Sequence, residues 1–204
     1  MSQQRRLSLV LGLNLAMIAG LVLVGLTAHS LGVLAAGGDY VADSAAILLG
    51  IIAVGIRNRV GAHSQAPTLV ALINGSALLA VTALVIIEAV RRLIGGVPHV
   101  SGLPVLIVST IATLVMGCGA LILGRGAGSE DLHMRSVLLD TVSDAVASAA
   151  VAVSGAVIYL THRFFWLDPA IAVLIGLVVG YGAVKLLRDV MHALRRGTTL
   201  LIQD

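Results

Sequence analysis

The chain has 204 residues, of which 58% are hydrophobic, 11% charged and 3% aromatic, with a formal net charge of +3 and a mean hydropathy of +1.05. A soluble domain carries about 25% charged residues, so this chain cannot cover a water-facing surface and reads as a membrane protein. Its single cysteine excludes a disulfide scaffold, and basic residues scattered in pairs with few aromatics point away from nucleic acid.

A helix needs about 20 apolar residues to cross the bilayer core, and six segments meet that length. Arg5 and Arg6 precede an uncharged stretch over 7–38, too long for the apolar part of a signal peptide. It is read as a first span, 7–28, running into a second, 32–56, with Thr27-Ala28-His29-Ser30 and Gly32 as the turn. Arg57-Asn58-Arg59, Gly61 and Pro67 then open a third span, 67–90. Gly95-Gly96-Val97-Pro98 leads to the fourth, 102–123. Gly124-Arg125-Gly126 and Ser129-Glu130-Asp131 lead to the fifth, 136–160. His162-Arg163 and Asp168-Pro169 lead to the sixth, 168–188. Pro169 suits a helix first turn and Asp168 reads as that helix's cap.

The expected fold is therefore all-α, a polytopic six-transmembrane-helix bundle with no separate soluble domain. Ten basic residues fall on the side of the N-terminus against three, Arg91, Arg92 and Arg163, on the other. The positive-inside rule then predicts both termini in the cytoplasm, with 1–6 as a cytoplasmic N-terminus and 189–204 as a short cytoplasmic tail. Glu88 has Arg91 and Arg92 at i+3 and i+4 and predicts a local ion pair. Asn14, Asn74, Ser143, Ser148 and Ser154 are expected to hydrogen-bond between spans. Cys118 reads as a small packing residue, and Lys185 is placed to snorkel.

Four aspartates do not belong in apolar spans. Asp39 and Asp43 lie in the second, Asp140 and Asp144 in the fifth. A charge inside a span costs roughly 2.5–3.5 kcal/mol on insertion scales, so each marks function by default. Each pair is spaced i,i+4, which puts both carboxylates on one helix face, where like charges repel unless a cation or protons neutralise them. Facing one another, the two pairs supply four oxygen donors to a divalent cation.

In this setting the sequence resembles the cation diffusion facilitator family of metal transporters. The resemblance runs through all six spans. HSLGVLAAGGDYVADSAAILLG resembles the family's second span, with its paired ligands at Asp39 and Asp43. LHMRSVLLDTVSDAVASAAVAVSGAVIYLT resembles the fifth, with Asp140 and Asp144, and WLDPAIAVLIGLVVGYGAVKLLRDVMHALRRGT resembles the sixth and its exit. The resemblance implies a proton-coupled antiporter exporting a divalent metal from the cytoplasm, zinc first. It also implies a homodimer working by alternating access in the cell (inner) membrane. Small residues such as Gly75, Ala77 and Ala80 on the third span offer a face for that dimer.

Three departures qualify it. The fifth-span pair begins with Asp140 where relatives commonly have histidine, so the site is all oxygen and Mn2+, Fe2+, Co2+ and Cd2+ stay open beside Zn2+. No segment resembling the family's cytoplasmic metallochaperone-like domain follows the sixth span, so the chain reads as the transmembrane part alone. The loop before the fifth span offers only His133 beside Glu130 and Asp131. The metal is cargo, and no prosthetic group is expected.

Ser143, next to Asp144, is a candidate to orient a ligand carboxylate, and His29 a candidate for the outer pathway of metal or protons. The sequence contains no G-x-x-x-x-G-K-[ST], H-E-x-x-H or G-x-S-x-G, so nothing supports ATP hydrolysis, a zinc protease or a serine hydrolase. The expectation is a secondary transporter rather than an enzyme. A manganese- or iron-selective exporter, and a non-transporting metal-sensing or scaffold subunit, remain as alternatives.

Overall fold

The computed structural model describes residues 16–42, 44, 66–126 and 132–195, and among them the regular structure is entirely helical. Six helices follow in chain order: α1 (Ala16–Thr27) and α2 (Leu31–Ala42), then α3 (Ala66–Gly95), α4 (Gly102–Gly126), α5 (Leu132–Thr161) and α6 (Leu167–Arg195). Apolar stretches long enough to cross a bilayer occupy α3 to α6, and α1 and α2 are shorter within the described residues. Large aliphatic side chains cover the outside of the bundle, among them Leu84, Ile94, Leu121, Val146 and Leu160. That surface is stable only against lipid, and the chain is a multi-pass membrane protein.

Local chemistry sets the helix ends. Pro67, Pro104 and Pro169 all fall in helix first turns, where a missing N–H costs nothing. Three helices close on a residue in the left-handed region: α1 on His29 (φ 58°), α3 on Gly96 (φ 109°) and α5 on His162 (φ 51°). The closing bonds run from Ser30 N–H to Gly25 O (3.0 Å), Gly96 N–H to Arg92 O (3.1 Å) and His162 N–H to Ile158 O (2.8 Å). These use carbonyls that a helix end leaves without intrahelical partners.

Several helices outrun the spans expected from hydropathy. α3 continues past 90 to Gly95, carrying Arg91 and Arg92 in its last turns. The expected ion pair holds there, with Arg92 Nε 3.1 Å and Arg91 Nη1 4.0 Å from the Glu88 carboxylate. α5 begins at Leu132 and α6 runs on to Arg195. Charged residues end the contact with hydrocarbon, but they do not end a helix.

α4 packs along α5, and α3 along α6. The first pair approaches at two glycines. A Cβ on Gly155 would stand 2.7 Å from the Leu106 nitrogen, and one on Gly102 only 2.5 Å from the Tyr159 nitrogen. α1 joins this pair through Leu21, Val105, Val108 and Val151 in one apolar core. Gly155→Ala is therefore expected to force α4 and α5 apart and cost roughly 1–3 kcal/mol, as overpacking does. Gly117, whose added Cβ would meet nothing within 4 Å, supplies the control. Equal melting temperatures for G155A and G117A in the same detergent would contradict the close approach.

Three packing expectations need correction. Gly75 is not free for a dimer, because its Cβ position lies 3.2 Å from Leu187 of α6, whereas Ala77 and Ala80 are exposed. Among the described residues Ser148 and Ser154 are buried with no hydrogen-bond partner, and Ser143 donates within its own helix to Leu139 O at 2.9 Å. On α5 these serines act through their small size rather than as interhelical donors. Cys118 is exposed on α4 instead of packed. Asn14 lies outside the described residues.

Candidate functional site

The site depends on how one end of the bundle is tied. The α1–α2, α3–α4 and α5–α6 connections meet there. Asp168, in the first turn of α6, is buried to 1% exposure and sends its carboxylate across to α2 instead of capping its own helix. It accepts hydrogen bonds from the Ser30 hydroxyl, from Leu31 N–H at 2.7 Å and from Gly32 N–H at 3.3 Å. The Ser30 oxygen in turn accepts from Val33 N–H at 3.1 Å, capping α2. A negative group at a helix N-terminus satisfies donors that lack intrahelical partners and complements the macrodipole. Arg92 Nη1 donates to His29 O at 2.7 Å, Ser101 N–H donates to Ala28 O at 3.2 Å, and the His99 and Phe165 rings stand 4.9 Å apart. All three connections are thus locked together.

This tie sets the relative depth of α2, α5 and α6. A Cβ on Gly32 would lie 3.1 Å from Asp168 Oδ1 and 3.3 Å from Val151 Cγ2, so these residues share a level. Seven residues on from Gly32 is Asp39, and seven back from Val151 is Asp144. At 1.5 Å per residue both aspartates lie about 10 Å below that level, on antiparallel helices. They line the same open cavity of about 340 Å³, with Ser143 beside them and Val146, Ile171, Ile175 and Val179 among its apolar walls. Asp39 also borders a water-sized void on its other side, against Leu78, Thr82 and Gly176.

A mostly apolar cavity with a few convergent polar groups is the usual form of a small-ligand site. Here the convergent groups are carboxylates in a low-dielectric setting, which favours a cation or protons over any anionic or neutral ligand. Of the four expected ligands, the structure brings Asp39 and Asp144 to one cavity. Asp140 is on α5, one helical turn from Asp144, with its side chain outside the described part. Asp43 lies outside the described residues, as do Glu130 and Asp131. Among the described residues no three histidine, cysteine, aspartate or glutamate side chains come together.

His29 is at the tied end, exposed, with Nδ1 3.3 Å from Thr27 O. Its φ of 58° makes it the residue that turns α1 into α2, a role histidine fills more readily than most non-glycine residues. The Asp168 bridge was missed by sequence reasoning, although a carboxylate directly before a proline at an apolar helix start was its visible signal.

Residues 7–194 match the cation efflux transmembrane domain family. The chain is 28% identical to a zinc transporter, ZitB, of Yersinia pestis, over 96% of this chain and 64% of that protein. It is 26% identical to a cadmium, cobalt and zinc/H(+)-K(+) antiporter of Bacillus subtilis, over 93% and 64%. With the proton-coupled zinc antiporter SLC30A2 of Mus musculus it shares 25% identity, over 96% and 58%. The chain thus spans less than two thirds of the length of these relatives. Carboxylates in helices α2 and α5 of a lipid-facing bundle, and a family match over nearly the whole chain, lead to one assignment: the protein belongs to the cation efflux family of membrane transporters.

Proposed function

We propose that the chain forms the membrane domain of a proton-coupled exporter that carries a divalent transition-metal cation, zinc first, out of the cytoplasm. The cation would be held by Asp39, Asp43, Asp140 and Asp144. The observation that carries this reading is the pairing of Asp39 and Asp144 in one cavity at matched depth. Asp43 and Asp140 each stand four positions along the chain from this pair, the spacing of one helical turn, and the proposal takes them as the remaining two donors. The names of the relatives support zinc as cargo and protons as the counter-ion. The preponderance of basic residues on one side supports cytoplasmic termini in a cell (inner) membrane, and the exposed Ala77 and Ala80 support a homodimer through α3. An all-oxygen set keeps manganese and iron as the second reading.

Proton coupling follows from charge. Four ionised carboxylates in an apolar bundle repel one another and lose hydration, so the empty site favours protons. A divalent cation favours the ionised form and displaces them. The four groups titrate together, and no step belongs to one residue. Uptake of Zn2+, Mn2+, Fe2+ and Cd2+ into everted vesicles tests the proposal. Uptake is expected to depend on an acidic vesicle interior and to stop when the pH gradient is collapsed. Uptake that ignores the gradient would refute antiport, and no uptake of any ion would favour the sensor or scaffold reading.

A further inference from the structure

On the side of the α3–α6 pair away from α2 lies a second, larger depression, an open groove of about 600 Å³. Its floor and walls are apolar over most of their length, with Leu79, Ala83 and Ile86 from α3 and Leu177 and Val184 from α6. The other end is polar: Tyr181, Lys185, Arg188 and Asp189 line it, all from α6. All four are exposed. Among the described residues neither Lys185 nor Arg188 is held in an ion pair, the ion pairs there being those of Glu88.

The groove has the dimensions and polarity of one lipid in one leaflet. From Leu177 to Arg188 the helix rises about 16 Å, close to half of the roughly 30 Å hydrocarbon core. Its volume is within the roughly 300–1,000 Å³ of small-molecule sites. An acyl chain in the apolar part would bring a headgroup phosphate level with Lys185 and Arg188, and Tyr181 is the amphipathic ring expected where hydrocarbon meets water. Two cationic side chains against one carboxylate leave the polar end net positive. A zwitterionic headgroup would use Asp189 for its ammonium group, whereas an anionic one is repelled by it.

From this charge balance we infer that the α3–α6 groove is a binding site for an anionic phospholipid, with one acyl chain along α3 and α6 and the phosphate on Lys185 and Arg188. The site is separate from the aspartate cavity, and its test does not depend on transport.

The test is native mass spectrometry of the full chain released from nanodiscs of equal parts phosphatidylglycerol and phosphatidylcholine. The wild type is expected to retain phosphatidylglycerol preferentially. K185Q/R188Q should weaken that retention by roughly thirtyfold, given the usual worth of two basic side chains near an anionic headgroup. D189N should strengthen it. A83F fills the groove but keeps every charge, and it too should lose the lipid; because it leaves the basic pair intact, it keeps the inference testable even where the double variant does not fold. Equal retention of the two lipids, or weaker retention in D189N, would overturn the anionic assignment. Unchanged retention in A83F, with inorganic phosphate competing for the same site, would reduce it to a surface phosphate contact. A dimer that retains no lipid and cross-links through Y181C would show the groove to be covered by a second copy of the chain.

Discussion

Asp39→Ala and Asp144→Ala are each expected to reduce metal transport at least tenfold to a hundredfold in reconstituted vesicles. That range is what the loss of a group one step removed from a metal already costs, and removing a donor outright should cost more. The two carboxylates share one cavity, so either loss leaves the remaining site with a lower negative charge and one fewer oxygen. Misfolding does not account for such a loss, because alanine inserts more readily: removing an intramembrane carboxylate relieves roughly 2.5–3.5 kcal/mol of insertion cost. The variants should therefore reach the membrane at least as well as the parent while their transport falls by that factor or more. The same substitution at Ser143, whose hydroxyl is already given to Leu139 O, should have a much smaller effect. Normal transport by both aspartate variants would remove the cavity from the transport path.

The second large effect is expected far from the metal, at Asp168. Asp168→Ala leaves the Ser30 hydroxyl and the Leu31 and Gly32 amides without their acceptor, in a place sealed from water. Each buried donor left unsatisfied costs about 1–3 kcal/mol, so the variant should lose on the order of 3 kcal/mol even after local relaxation. Asp168→Asn should fall between, because an amide offers one acceptor oxygen and turns a donor toward the other partner. Transport should drop as well, since the same contact sets the level of Asp39 against Asp144. Hydrogen exchange at Leu31 and Gly32 separates this from general destabilisation. Those two amides should exchange faster in D168A, whereas G155A should leave them protected. Unchanged exchange at both amides in D168A would mean that the carboxylate does not hold α2.

What could be read from one chain and what could not follow the range of the interactions involved. Hydropathy decides where lipid must be met, so segments around α3 to α6 are visible in composition, and the i,i+4 aspartate pairs are visible because a helix has a fixed period. Glu88 with Arg91 and Arg92 is legible for the same reason, being a contact within one turn. The helix ends were less legible. α3 and α6 run beyond their apolar stretches because backbone hydrogen bonds continue after hydrocarbon contact has ended, and a histidine closes α1 where glycine would be the ordinary choice.

The amino-acid sequence by itself determined a helical, lipid-embedded protein with carboxylates inside two of its apolar spans, because hydropathy, period and charge are properties of short windows. Only the tertiary structure decided that Asp39 and Asp144 stand at one depth beside one cavity. That depends on Asp168 binding the start of α2 across 137 positions of chain and on Gly32 meeting Val151. It likewise decided that Gly75 is used against α6, and that the α6 cations lie at the end of an apolar groove. A residue's partner at such separations is set by how helices slide and turn against one another. That degree of freedom leaves no trace in the period of either helix alone.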